Sequence, residues 1–217
     1  MKYLKQLSEN WAIGLSSKFI YSDLGNGFSQ TTTIPTQRIF PGRAIALDIS
    51  TTYKKTISLS GIETNLILGV AISNLGNKIT YVRRADYLPA NLGIGSAWEV
   101  NFNKNNRLLV SLEFNKLLVP TPQFLDTLLD LRNIGVIEGA LRSFSDAPDG
   151  FKEEMQEINT SIGLEYWFHK HLAIRGGYFN ENENKGGRRY YTLGCGLRLG
   201  VVGINISYLK VLPYDKY

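Results

Sequence analysis

Apolar residues recur at every second position through most of this chain, a spacing that suits extended strands with one apolar and one polar face. Over residues 11–22 the apolar set is Trp11, Ile13, Leu15, Phe19 and Tyr21, opposed by Ala12, Gly14, Ser16 and Lys18. Over 44–53, Ile45, Leu47, Ile49 and Tyr53 oppose Ala44, Ala46, Asp48 and Ser50. The rule repeats with Leu92, Ile94, Trp98 and Val100, with Leu108, Val110, Leu112 and Phe114, with Ile162, Leu164, Tyr166 and Phe168, and with Val202, Ile204, Ile206 and Tyr208. Looser versions cover 66–74, 172–179 and 189–199. The pattern predicts an all-β chain of about nine strands.

Alternation by itself serves a soluble sheet or a membrane barrel, because each has one apolar and one polar face. The polar side separates them. It is Gly, Ala, Ser and Asn with an occasional Asp, Glu or Arg, which suits a crowded, wet barrel interior better than the outside of a soluble sandwich. Trp11 and Tyr21 share the apolar face at a spacing of about 33 Å along a strand, or roughly 24 Å after a tilt near 45°, the separation of two aromatic girdles. Tyr53, Trp98, Phe114, Tyr166, Phe168, Tyr178, Tyr191 and Tyr208 also fall at or near strand ends on that face. The longest apolar run, 66–72, is far short of the roughly 18 residues of a membrane helix.

The connections alternate as in outer-membrane barrels, with long external loops at 23–42, 75–89, 118–157 and 180–188 and shorter periplasmic links at 54–65, 101–106, 169–171 and 200–203. The link 54–65 is longer than ideal unless the strands extend into it. The expected architecture is an antiparallel transmembrane β-barrel, a single partial domain over 1–217 with a long external loop at 118–157. That loop opens with PTPQF and has helical character around 124–131 and 150–157. Asp149 is placed to cap the second helix, with Glu153 and Glu154 near the positive end of its dipole. Loops of this length are commonly functional, and this one is expected to fold over the barrel mouth or to meet a partner.

Charge and chemistry narrow the function. The net +5 is scattered rather than gathered into a run that tracks a phosphate backbone, which speaks against nucleic acid. Cys195 is the only cysteine, so no intrachain disulfide forms. The start MKYLKQLSENW has no apolar run and no small-residue cleavage site. His169 and His171 sit in a tight turn without a second ligand cluster, and Glu99, Glu113 and Glu165 share a face with Lys18, Arg175 and Arg198 as a paired interior network. The glycine clusters near Gly25 and Gly186 are turn punctuation. No catalytic, cofactor-binding or metal-ligating residue is assigned. For partner binding the candidates are Phe144, Asp146, Pro148, Phe151 and Met155, since exposed aromatics beside Pro and Gly make rigid contact surfaces. Arg83, Arg84, Lys185, Arg188 and Arg189 are candidates for lipopolysaccharide phosphates.

The segment SFSDAPDGFKEEMQEINTSIGLEYWFHKHLAIRGGYFNENENKGGRRYYTLGCGLRLG, 143–200, resembles the PorV proteins of Bacteroidetes. FIYSDLGNG at 19–27, LGVAISNLGNKITY at 68–81 and DYLPANLGIG at 86–95 resemble the same family in the same order. The resemblance implies a FadL/OmpP-like barrel of fourteen strands at the outer membrane, working without bond chemistry in the type IX secretion system. Such a protein receives cargo by its C-terminal signal domain from the translocon channel and hands it to the sortase of the attachment complex. The chain lacks the family's signal peptide with about four early strands and stops at LPYDKY, so it is expected to be truncated at both ends. Two other readings remain: a FadL-type transporter of hydrophobic small molecules, resting on architecture alone, and a soluble adhesive β-sandwich.

Overall fold

The computed structural model describes residues 2–24, 40–59, 61–81, 85–121 and 134–213. Its main body is one antiparallel sheet of ten strands: β1 Lys2–Gln6, β2 Trp11–Ser22, β3 Gly42–Leu59, β4 Ile62–Gly76, β7 Asn91–Asn101, β8 Arg107–Leu117, β9 Ile158–Phe168, β10 Leu172–Asn180, β11 Arg189–Leu199 and β12 Val202–Val211. Neighbours in that order pair in the sheet, and β5 Ile79–Thr80 with β6 Ala85–Asp86 makes a small separate ribbon. The sheet is open, since β1 and β12 do not pair with each other among the described residues.

The expected strands are present, with two corrections. Link 54–65 is mostly strand: β3 runs on to Leu59 and β4 begins at Ile62, with a tight turn between them at Gly61, whose φ of 81° suits a residue without a Cβ. Strand β1 escaped the pattern. It pairs Tyr3 with Leu15 and Leu4 with Gly14, so Lys5 shares the apolar face with Tyr3 while Leu4 lies on the small-residue face, and the alternation is scrambled.

Among the described residues the buried hydrophobics form only two small clusters. They are mostly alanines (Ala44, Ala46, Ala90, Ala140, Ala147, Ala173) with Ile79, Leu88, Leu118 and Trp167. The large apolar side chains of the strands stand on the other face and are exposed, Phe19 at 70% and Ile94 at 49% among them. No second sheet covers them among the described residues. Each such side chain left in water forgoes about 1.5–3 kcal/mol of burial, and a continuous face of this kind exceeds the patch of a few hundred Å² that a soluble monomer tolerates. An apolar medium is what this face fits.

The small-residue face is held by polar contacts that run from strand to strand. Thr56 Oγ1 donates to Asn65 Oδ1 (2.7 Å), Asn65 Nδ2 to Glu99 Oε1 (2.9 Å), and Arg107 to Glu99 Oε2 (3.0 Å). Arg107 also reaches Glu165 at 3.6 Å, Arg175 Nε donates to Glu165 Oε2 (2.6 Å), and its Nη1 to Asn205 Oδ1 (2.9 Å). This belt crosses β3, β4, β7, β8, β9, β10 and β12. Glu99, Glu165 and Arg175 take the paired roles expected of them, whereas Glu113 accepts from Asn115 (2.8 Å) and Lys18 pairs with Asp48 (2.8 Å).

Lys18 and Asp48 secure a β-bulge. The register of β3 on β4 shifts between Leu47 and Ile49, which face Leu75 and Ile72, so Ser73 and Asn74 together oppose Asp48. Asn74 has φ 57°, its N–H donates to Asp48 Oδ1 (2.9 Å), and its Oδ1 accepts from Lys18 Nζ (2.9 Å). Just beyond the bulge, Ile79 and Leu88 pack on Ala44, Ala46, Ile20 and Tyr81 on the small-residue face.

Ile94→Arg separates a lipid-facing sheet from a water-facing one. On a lipid-facing wall it lowers unfolding stability in phospholipid by about 2–4 kcal/mol, measured by reversible urea denaturation; in a water-exposed sheet the same change would cost almost nothing.

Candidate functional site

The long loop has the most elaborated non-strand structure, and its position follows from register. Ile72 pairs with Leu92, Leu92 with Lys116 and Lys116 with Ile158, a cross-strand row that belongs to the apolar face at the long-loop rim. A lysine at that level needs a counter-charge. Segment 134–157 supplies it, lying against the outer wall at this row.

The first half of the segment is helix α1, Val136–Arg142, with Glu138 in its first turn and Arg142 in its last, paired at 2.6 Å in the favourable dipole order. Its inner side is small: Gly139 sits so close to Tyr87 and Pro120 that a Cβ would lie 3.0 Å from both. Ala140 joins Ala90 and Leu118 in a buried cluster backed by Ile72, Leu75 and Leu92. Tyr87 Oη donates to Ile134 O (3.0 Å), and Ser143, fully buried, donates its hydroxyl to Ala140 O (2.8 Å). Ile137 and Leu141, on the other side of α1, are exposed.

The second half is helix α2, Phe151–Gln156. The expected helix at 150–157 is present, and Glu153 and Glu154 stand in its first turn. Asp149 does not cap it by its side chain. The N-cap is Gly150 at φ 67°, and the Asp149 N–H instead donates to Glu153 Oε2 (2.8 Å). Helix α1 had no counterpart in the sequence reading, and the helical character at 124–131 lies outside the described residues.

Two lysines from elsewhere grip three glutamates of this segment. Lys116 Nζ binds Glu154 Oε2 (2.9 Å) and Glu157 Oε2 (2.6 Å), and Lys185 Nζ binds Glu153 Oε1 (2.5 Å) and Glu157 Oε1 (2.9 Å). Glu154 Oε1 also accepts from Ala147 N (2.9 Å), and Thr121 donates its N–H to Asp146 Oδ2 (2.9 Å) and its hydroxyl to Glu157 Oε1 (3.2 Å). Burial pushes the Glu157 carboxyl up, but hydrogen bonds from Lys116 and Lys185 outweigh it and hold the group below the usual range. Lys185 is raised: burial acts against its charge, and Glu153 and Glu157 more than offset that. Asp146 is raised by burial and by the nearby Glu154 and Glu157 charges, against the Thr121 amide.

The candidate partner residues therefore divide. Phe144, Pro148, Phe151 and Met155 are exposed, Phe151 at 79%, and with Ile137 and Leu141 they form the apolar surface of the segment. Asp146 is turned inward and organises the loop through Thr121. Among the basic candidates, Arg83 and Arg84 lie outside the described residues. Lys185 is committed to α2, Arg188 pairs with Glu181 at 2.7 Å while its side chain stays 68% exposed, and Arg189 donates to Pro213 O (2.8 Å). Lys116 was missed because an isolated lysine at the end of an apolar alternation reads as a strand terminus.

The family model for the type IX secretion system protein PorV matches residues 1–124. That span contains three of the four segments noted for resemblance, and 143–200 lies beyond it. A comparison with curated proteins finds no match.

The lysine–glutamate network sets a pH window for the loop. The depressed Glu157 contributes stability above the ordinary carboxylate range, near pH 4.3, and loses it as pH falls through its lower folded value; the raised Lys185 contributes below about pH 10.4 and loses it as pH rises beyond. Amide hydrogen exchange in 134–157 is expected to accelerate on acidification below about pH 4, and Glu157→Gln is expected to produce the acceleration already at pH 7.

Proposed function

Because the chain belongs to the PorV family of type IX secretion system proteins, we propose that it works as an outer-membrane cargo shuttle that binds partners and makes or breaks no covalent bond. In this reading it takes secreted proteins by their C-terminal signal domain from the translocon channel and delivers them to the sortase of the attachment complex. The observation that carries the reading is the apolar surface of α1 and α2, which stands on the outer wall next to the membrane-facing band rather than across the mouth. A surface so placed meets another membrane protein side by side, in the plane of the bilayer. Its aromatic and methionine residues, Phe144, Phe151 and Met155, sit beside Pro148 on a segment held rigid by the Lys116 and Lys185 contacts, so ordering costs little on docking. Arg188, with most of its side chain in water, is the described basic candidate best placed to meet a lipopolysaccharide phosphate.

Leu141→Asp with Phe151→Asp tests the surface without disturbing the fold, since both side chains are exposed. Tagged protein carrying both changes is expected to lose at least tenfold in recovery of translocon or of cargo with a C-terminal signal domain from outer membranes, with its far-UV spectrum unchanged. Undiminished recovery would remove this segment from partner binding, and recovery of bound lipid-like molecules in place of proteins would favour a transporter of hydrophobic small molecules.

A further inference from the structure

At the opposite rim, two short hairpin links, 101–106 and 169–171, and the end of β11 are laced together around a cavity of about 290 Å³. Asn105 N and Asn106 N both donate to Asn103 Oδ1 (2.9 Å each), while Asn106 Oδ1 accepts from His169 N (2.8 Å) and Asn105 O from Lys170 N (3.0 Å). His171 O accepts from Arg198 N (2.7 Å). These contacts hold His169 and Lys170 at φ 51° and 62°, a left-handed pair that non-glycine residues adopt only at a cost.

The lining is strongly one-signed. It comprises Lys104, Arg107, Lys170 and Arg198, four asparagines and Trp167, with no carboxylate among them. Of the lining cations, Arg107 is the one paired with Glu99 and Glu165, deeper on the same face. Trp167 is 8% exposed, its Nε1 donates to Glu165 Oε1 (2.5 Å), and the guanidinium of Arg198 lies 4.9 Å from its ring centroid. Its cross-strand neighbours are Arg107 on one side and the small Ala173 on the other. With Asn103 and Asn106 spending their carbonyls on backbone amides, their side-chain nitrogens remain as donors.

We propose that this cavity binds a phosphate-bearing headgroup, with Lys104, Lys170 and Arg198 supplying charge and the asparagine amides neutral donors. Guanidinium and ammonium groups converging on preformed turns match tetrahedral oxyanions, and the volume accommodates more than a bare ion. The site is independent of the cargo role. Arg107, Trp167 and Arg198 belong to the small-residue face, so free phosphate reaches the cavity directly from water and a phospholipid headgroup reaches it around the turns.

The test uses the 217-residue chain in detergent micelles with Trp11→Phe and Trp98→Phe, which leaves Trp167 as the one tryptophan. It is titrated with inorganic phosphate against chloride at equal ionic strength, and with a short-chain phosphatidic acid against the matching diacylglycerol. A saturable change in Trp167 emission is expected, with apparent affinity falling at least tenfold in Lys170→Gln/Arg198→Gln at unchanged far-UV spectrum. Lys104→Gln, in an exposed turn, is expected to weaken binding about threefold and keeps the test open should the double variant misfold. Response to phosphatidic acid alone identifies a lipid headgroup; response to both identifies the phosphate group itself. No saturable response, equal response to chloride, or a response indifferent to Lys104→Gln would overturn the site.

Discussion

The polar belt running from Thr56 to Asn205 across seven strands is the interaction on which the rest of the wall depends. A sheet most of whose large apolar side chains point outward has little core to hold its strands in register by packing. What remains is the backbone ladder and whatever the other face supplies. On that face Glu99 is shared by Asn65 and Arg107, and Glu165 by Arg107, Arg175 and Trp167. Two carboxylates thus join most of the strands, and each arginine is left with a paired charge in a confined space. The small residues around them, Ala173 and Gly196 among them, are the counterpart of that belt, since they leave room for guanidinium groups and one indole to lie along the sheet.

The same economy of charge fixes the long loop. Lys116 stands at the end of an apolar row, where an uncompensated ammonium would be expensive, and Glu154 and Glu157 arrive from 38 and 41 residues further on in sequence to meet it. Lys185, from the next long link, completes the contact from the other side. Segment 134–157 is therefore clasped to the outer wall at the edge of the apolar band. Its exposed side, from Ile137 to Met155, continues that band outward, which links the placement of one lysine to the lateral contact surface of the whole protein.

Much of the wall was legible in advance because period-two alternation is a local property: each strand declares its own faces through its own residues. The strand set, the antiparallel order and the alternation of long and short links all followed from it. Strand β1 did not, because Leu4 lies on the inner face and Lys5 on the outer, reversing the rule that identified its neighbours. The β3–β4 turn was drawn too long because Lys54, Lys55, Glu63 and Asn65 look like loop residues, yet they continue the strands. Asp149 was a reasonable cap by residue type, but the chain enters α2 through Gly150 at positive φ, and Glu153 turns back to the Asp149 amide instead.

By itself the sequence determined that this chain forms a sheet with one face for an apolar medium and one for a wet interior, and it carried the likeness to the PorV family. Only the tertiary structure decided which charges pair, where segment 134–157 lies, and that Trp167 with its surrounding cations forms a cavity. The reason is physical. Which face a strand residue takes depends on its immediate neighbours, whereas ion pairs such as Lys116–Glu157 and the laced turns at Asn103 and Lys170 join residues that only strand register brings together.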